Sequence, residues 1–263
     1  MKSDFHIPVL LNEAINGLNI KSNGIYVDST LGRAGHSSEI LKKLDNNGLL
    51  IGIDQDDEAL EYSKAKLSKI RSNSKVVKSN FRNILEVLED LGIKEVDGIL
   101  FDLGVSSPQF DEDYRGFSYN KNSELDMRMD LSNPLTAKIV INTYPLEKLT
   151  KIFREYGEEK FAYQIAKNIV KARENGVIST TLELVEIIKS SKSQKELSKP
   201  GHPAKQVFQA LRIEVNDELN ALKEALEASL KAIKVGGRIV VITFQSLEDR
   251  IVKQTFKSVS VIE

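Results

Sequence analysis

The sequence predicts an α/β protein: a mostly parallel sheet with helices on both faces, into which a mostly helical domain is inserted. Three features lead there. Apolar strand-like runs and amphipathic helical segments alternate four times between residues 25 and 102, the rhythm of βα units whose strands are buried between helices. The runs 25–28, 48–54 and 96–102 each end in an aspartate: Asp28, Asp54 and Asp102. The alternation breaks at about residue 106 and resumes near residue 204. Ligands of parallel sheets bind at the carboxyl ends of the strands, so the three acids mark one sheet edge as the place for a site.

Element by element, Pro8 followed by Leu10, Leu11, Ala14, Ile15 and Leu18 at helical spacing predicts an amphipathic helix covering one sheet edge. His6, just before it, reads either as a site residue or as a surface or capping histidine. Residues 25–28 form a strand that runs into a turn bracketed by Gly32 and Gly35, with a helix over 37–44. Glycine lets backbone approach a ligand because no Cβ stands in the way. An ordinary βα turn would read the same over this segment alone. Strands follow at 48–54, 75–81 and 96–102, with helices at 56–70 and 84–91; the first of these strands is apolar throughout, as when both faces are buried. From 106 to 205 only helices are predicted, at 134–142, 145–156, 158–175 and 181–189. Nine of the 17 aromatic residues lie between Phe110 and Tyr163, enough to give this insertion its own core. Residues 189–201 read as a flexible basic loop. A long helix over 204–233, a buried strand over 236–244 and a helix over 246–256 complete the α/β part. The expected division is residues 1–109 with 206–263 for the α/β domain and 110–205 for the insertion.

Composition narrows the function. At 263 residues the chain can bury a sizeable core, and 41% hydrophobic with 29% charged residues describes a globular protein. With 37 basic against 38 acidic residues, any nucleic-acid role needs a local basic face. The absence of cysteine from the sequence excludes disulfides, thiolate zinc sites and a cysteine nucleophile, and no metal ligand set is expected. Residues 1–16 lack a basic start followed by an apolar run, and no run has transmembrane length, so a cytoplasmic protein without membrane association is expected.

The glycine turn suits one nucleoside cofactor better than another. A dinucleotide wants three glycines as G-x-G-x-x-G to seat its pyrophosphate; here only Gly32 and Gly35 stand, as G-x-x-G. Asp28 before the turn would repel a pyrophosphate and attract a cation. S-adenosylmethionine carries an ammonium and a sulfonium and no phosphate, so it fits better. Asp54, 19 residues beyond Gly35, would accept from ribose hydroxyls, a role common to both cofactors. Phe81 in Ser-Asn-Phe-Arg reads either as a ring against adenine or as a core aromatic, and Asp102 either as a site acid or as a turn residue.

At these residues a resemblance emerges. His6-Ile-Pro-Val-Leu-Leu-Asn-Glu, Asp28-Ser-Thr-Leu-Gly-Arg-Ala-Gly-His-Ser, Phe101-Asp-Leu-Gly-Val-Ser-Ser-Pro-Gln, Arg115-Gly-Phe-Ser, Leu125-Asp-Met-Arg-Met-Asp and Ser246-Leu-Glu-Asp-Arg closely resemble the RsmH (MraW) family. The resemblance runs from Asp4 to about Lys257. It implies a class I methyltransferase (Rossmann-like) fold whose inserted helical domain recognises RNA. The implied activity is transfer of methyl from S-adenosylmethionine to cytosine N4 of 16S ribosomal RNA, with the small ribosomal subunit as partner; the sequence leaves the choice between monomer and homodimer open. Position by position, the implied cofactor contacts are Ala34, Gly35, His36, Asp54, Phe81, Asp102 and Gln109, beside Asp28 and Gly32 of the turn. Two departures stand out: Gln245 replaces the family's usual histidine before Ser-Leu-Glu-Asp-Arg, and the sequence stops at Glu263, where the family continues into its last strands.

For such chemistry the poorly nucleophilic exocyclic amine must be oriented and its hydrogen bonds accepted. The loop 102–109 is expected to do this, with the carboxylate of Asp102, the candidate catalytic residue, or nearby backbone carbonyls facing the amine and Pro108 stiffening the turn. Tyr114, Phe117 and Tyr119 are the nearest aromatics on which the base could stack, and each is equally a core residue of the insertion. Arg115, Lys121, Arg128, Lys138, Lys151, Arg154, Lys160, Lys167, Lys171, Arg173 and the lysines of 189–205 are cations for phosphate contacts or solvated helix faces. An amino-methyltransferase of the same fold acting on DNA or protein, and a non-catalytic RNA-binding assembly protein, are the rival readings.

Overall fold

The computed structural model describes residues 8–103 and 115–260, which fall into two compact units, residues 8–103 with 219–260 and residues 115–218. In the first, parallel strands β1 (Ile25–Asp28), β2 (Leu49–Asp54), β3 (Ser74–Lys78), β4 (Val96–Asp102) and β5 (Ile233–Ile242) lie in the order β3-β2-β1-β4-β5. The chain works outward from β1 to β3, then returns to the other side of β1 for β4. That reversal opens a switch point at the carboxyl ends of β1 and β4. Alternation along the strands sends Val27, Ile51, Ile53, Ile99 and Phe101 to one face and Tyr26, Leu50, Leu100 and Ile242 to the other.

Helices α1 (Leu11–Leu18), α2 (Gly35–Lys43) and α3 (Asp57–Ser68) cover the second face through Ala14, Ile15, Leu18, Ile40, Leu41 and Leu67. As expected, α1 lies at a sheet edge, packed against β4 and β5. Helix α4 (Ile84–Asp90) covers the first face with Val87 and Leu88. The third strand is shorter than its apolar run suggests. The Asn80 side chain accepts the Arg82 N–H at 3.0 Å and turns residues 81–83 into a 3-10 helix, so Phe81 sits in that turn and not at a strand end.

The second unit packs α5 (Ala137–Thr143), α6 (Leu146–Glu155), α7 (Ala162–Arg173), α8 (Thr181–Ser190), α9 (Gln194–Leu197) and α10 (Lys205–Asn216), with Phe117, Leu125 and Met127 in the same core. The segment expected to be a flexible loop is instead held in place. Ser193 caps α9, and the Lys192 ammonium is buried, donating to Glu159 at 2.8 Å and to the Pro203 carbonyl at 2.7 Å.

The predicted long helix is also two: α10 ends at Asp217, which adopts φ 50 and ψ 39, and α11 (Glu218–Ala232) begins. Aspartate tolerates this left-handed conformation better than most residues. The break is held both by residues distant in the sequence and by a pair that spans it. The Asn216 amide donates to Met127 O and accepts from Met129 N, both at 2.8 Å, and Arg212 grips Glu218 through two bonds of 2.8 and 2.9 Å. In consequence Val207, Phe208, Leu211 and Val215 of α10 join the core of the second unit, whereas the sequence placed this helix with the α/β part. Leu222 and Leu226 of α11 and Val252 of α12 (Ser246–Val259) complete the first face of the sheet. Strand β5 is not the buried strand expected: Val235 is fully exposed and only Ile242 is buried, and among the described residues β4 is its one neighbour in the sheet. No described helix is long and apolar enough to cross a membrane.

Candidate active site

The turn after β1 is bolted to its neighbours before any ligand is considered. Asp28 ends β1 at 1% exposure, and its carboxylate accepts from the Thr30 N–H at 3.2 Å and the Ser37 hydroxyl at 2.6 Å. Burial pushes its pKa up, opposed by the Ser37 bond. Where the sequence suggests an acid open to a cation, the structure shows a buried one that holds the turn to α2. Gly32 (φ 49) and Ala34 (φ 55, ψ 39) are both left-handed, which turns the chain sharply enough for α2 to start at Gly35. A Cβ on Gly35 would overlap Pro8 Cγ, so residue 8 lies directly on the turn.

The other strand ends reach the same turn. Asp54 at the end of β2 accepts from the Gly32 N–H at 2.8 Å and the Asp56 N–H at 2.9 Å. Desolvation pushes its pKa up to about 6 despite these bonds, with the Asp56 charge adding to the rise. The Ser63 hydroxyl donates to Gly32 O at 2.6 Å and the Lys66 ammonium to Arg33 O at 3.0 Å, tying the turn to α3. At the end of β4, the Asp102 N–H donates to Thr30 Oγ1 at 2.7 Å, and the Asp102 carboxylate lies 3.6 Å from His36 Nδ1. His36 is buried, with Nε2 3.1 Å from the Val9 carbonyl. Thus Asp28, Gly32, Ala34, Gly35, His36, Asp54 and Asp102 converge on one turn. Phe81 stands beside β4, its ring edge-on to Phe101 at 5.7 Å.

His6, Gln109, Pro108 and Tyr114 lie outside the described residues. Phe117 is buried in the core of the second unit and offers no face for a base. Tyr119 is stacked on His202 with centroids 4.3 Å apart. Among the expected phosphate-binding cations, Arg115 is 2% exposed and donates to the Arg128 and Met129 carbonyls, Arg128 pairs with Asp126, and Arg173 donates to the Ile141 and Tyr144 carbonyls. Gln245, just before α12, has a buried Oε1 with no hydrogen-bond partner among the described residues. Pro8, Thr30, Ser37 and Ser63 are site residues that sequence reasoning did not single out. Thr30 and Ser37 lie inside the glycine-turn motif, which was the available signal.

The family model described as the MraW methylase family matches residues 3–263. The chain belongs to the MraW methylase family. Relatives are similar over nearly the whole chain. A protein of Streptococcus dysgalactiae subsp. equisimilis is 53% identical, covering 100% of this chain and 84% of its own. One of Halothermothrix orenii is 53% identical, covering 97% and 82%. One of Streptococcus mutans is 54% identical, covering 100% and 84%. All three bear the name ribosomal RNA small subunit methyltransferase H. Among solved structures, NSun6 from Pyrococcus horikoshii is 16% identical over 95% of this chain and 41% of its own, with a TM-score of 0.44. The cyclopropane synthase MmaA2 from Mycobacterium tuberculosis is 10% identical over 79% and 76%, with a TM-score of 0.28. The assignment to the MraW methylase family rests on the sequence matches and the fold on the sheet order, not on likeness at these scores.

Proposed function

We propose that this chain transfers a methyl group from S-adenosylmethionine to the exocyclic N4 of a cytidine in 16S ribosomal RNA, acting on the small ribosomal subunit in the cytoplasm. The observation that carries the reading is 53–54% identity to three proteins named as small-subunit ribosomal RNA methyltransferases. The residues fit the cofactor. No side chain caps the start of α2, which leaves its first N–H groups for an anionic group such as the methionine carboxylate. Ser29 Oγ, 2% exposed at the tip of β1, has no hydrogen-bond partner among the described residues. In this reading Asp54 accepts from ribose hydroxyls and Phe81 lies against adenine, which their positions near the turn support; Gln109 joins them from the resemblance alone.

When bound, the cofactor supplies an electrophilic methyl on a sulfonium. What the chain adds is orientation. Asp102 stands at the switch point with its main chain fixed by Thr30, and its carboxylate accepts the N–H bonds of the target amine. That contact turns the nitrogen toward the methyl and favours the pyramidal geometry in which its lone pair is available. The second unit serves RNA recognition, with exposed Lys151, Arg154, Lys160, Lys167 and Lys171 for phosphate contacts, and the base reaches the site unpaired. Tritiated methyl transfer to small ribosomal subunits tests the reading: label released by RNase supports it, and label that survives RNase indicates a protein target.

A further inference from the structure

We infer that residues 8–10 form a strap that sets the Asp102 carboxylate, with His36 as the positioning residue between them; the catalytic part of this inference rests on the methyl-transfer reading above. The strap is fixed at both ends. Pro8 packs on Gly35 with no room for a Cβ between them. Leu10 is left-handed at φ 50, and its carbonyl takes the Ala14 N–H at 2.9 Å, so the strap continues directly into α1. Val9 and Leu10 are 44% and 51% exposed, so apolar burial contributes little to holding this segment. Its polar anchor is the Val9 carbonyl against His36 Nε2 at 3.1 Å.

That anchor determines how the ring is used. A carbonyl oxygen only accepts, so the imidazole donates through Nε2–H. The ring is thereby oriented with Nδ1 toward Asp102 Oδ2 at 3.6 Å, longer than a hydrogen bond and within ion-pair reach. With Nε2–H committed to Val9, this contact is attractive only while a proton lies between Nδ1 and the carboxylate. The Asp102 main chain is already held by Thr30, so the contact with His36 bears on the rotation of the carboxylate. At 5% exposure the ring has little surface left for a ligand. The ring bridges two groups of the protein, Val9 and Asp102.

Two variants separate the ends of the bridge, because a glutamine amide reaches the position of Nε2 and an asparagine amide that of Nδ1. On the full chain, His36→Asn should release the strap and raise amide exchange at residues 9–11 about tenfold, whereas His36→Gln should leave it within about twofold. His36→Gln should move the carbon-13 carboxyl signal of Asp102, assigned by its loss in Asp102→Asn. Both variants should lower kcat on small ribosomal subunits about tenfold, as loss of an orienting partner does, with the Kd for S-adenosylmethionine within about threefold. Unchanged exchange in the asparagine variant together with an unmoved Asp102 signal in the glutamine variant would overturn the inference. So would a Kd weakened more than about tenfold with kcat intact, which would make the ring a cofactor contact. If the wild-type chain transfers no methyl to subunits, the functional reading fails, and the exchange and carboxyl measurements still decide the bridge.

Discussion

Replacing Asp54 by asparagine removes the charge that holds the turn and that we propose meets the ribose. The carboxylate accepts two main-chain N–H groups, Gly32 at 2.8 Å and Asp56 at 2.9 Å. An asparagine keeps one acceptor oxygen and turns its NH2 toward the other N–H, donor against donor. A hydrogen bond to a charged group contributes about 1.5–3 kcal/mol, so cofactor affinity at pH 7.5 should fall about 10- to 100-fold. The pH profile adds a second signature, because burial pushes Asp54 up to about 6. Hydroxyl donors favour the charged form, so wild-type binding should be flat above about pH 7 and weaken as pH falls through 6, approaching tenfold per unit. The ligand-free protein responds in the opposite sense: the contribution of this group to stability is full below its unfolded value and is lost as pH rises through about 6. Calorimetric titration of S-adenosylmethionine between pH 5 and 8 reads the binding profile. The asparagine variant should bind weakly with little pH dependence. Wild-type affinity with an unchanged profile in that variant would refute the role given to Asp54.

Other substitutions test other links. Gly35→Ala drives a Cβ into Pro8 Cγ and should cost about 1–3 kcal/mol in thermal unfolding; an unchanged melting temperature would mean that Pro8 does not pack there. Lys192→Ala strands the Glu159 carboxylate, whose side chain is 3% exposed, and should cost about 3–5 kcal/mol in urea denaturation, with partial recovery on adding Glu159→Gln; an undiminished midpoint would contradict the buried pair. Asp102→Ala keeps the main-chain bond to Thr30 and removes a side chain that is 24% exposed, so stability should stay within about 1 kcal/mol while methyl transfer is abolished. Full activity in that variant would sink its catalytic role.

What could be read from the sequence was whatever depends on neighbours along the chain. Strands β1 and β4 have the bounds their apolar runs predict, since a run buried between helices and ended by an acid leaves little ambiguity. The break at Asp217 was not legible, because residues 204–233 have helical periodicity throughout. The groups that hold it, Met127 and Met129, lie 89 and 87 residues from Asn216. Lys192 looked like a loop cation because its partner Glu159 is 33 residues away. The apolar end of β5 read as buried, although burial there depends on how many strands flank it. At the site, the glycines and the acids at three strand ends were visible as a pattern. The contacts of Pro8 with Gly35, Val9 with His36 and Thr30 with Asp102 exist only once the turn has folded. Burial of Asp28 was likewise invisible, since nothing in the residues around it tells a carboxylate facing a ligand from one facing Ser37.

The most direct measurement is mass spectrometry of 16S ribosomal RNA nucleosides from cells with and without this protein. The expected result is N4-methylated cytidine in the first and its loss in the second, restored by the wild-type chain and not by Asp102→Ala. Identical nucleoside profiles in the two would contradict methyl transfer to 16S ribosomal RNA as the function.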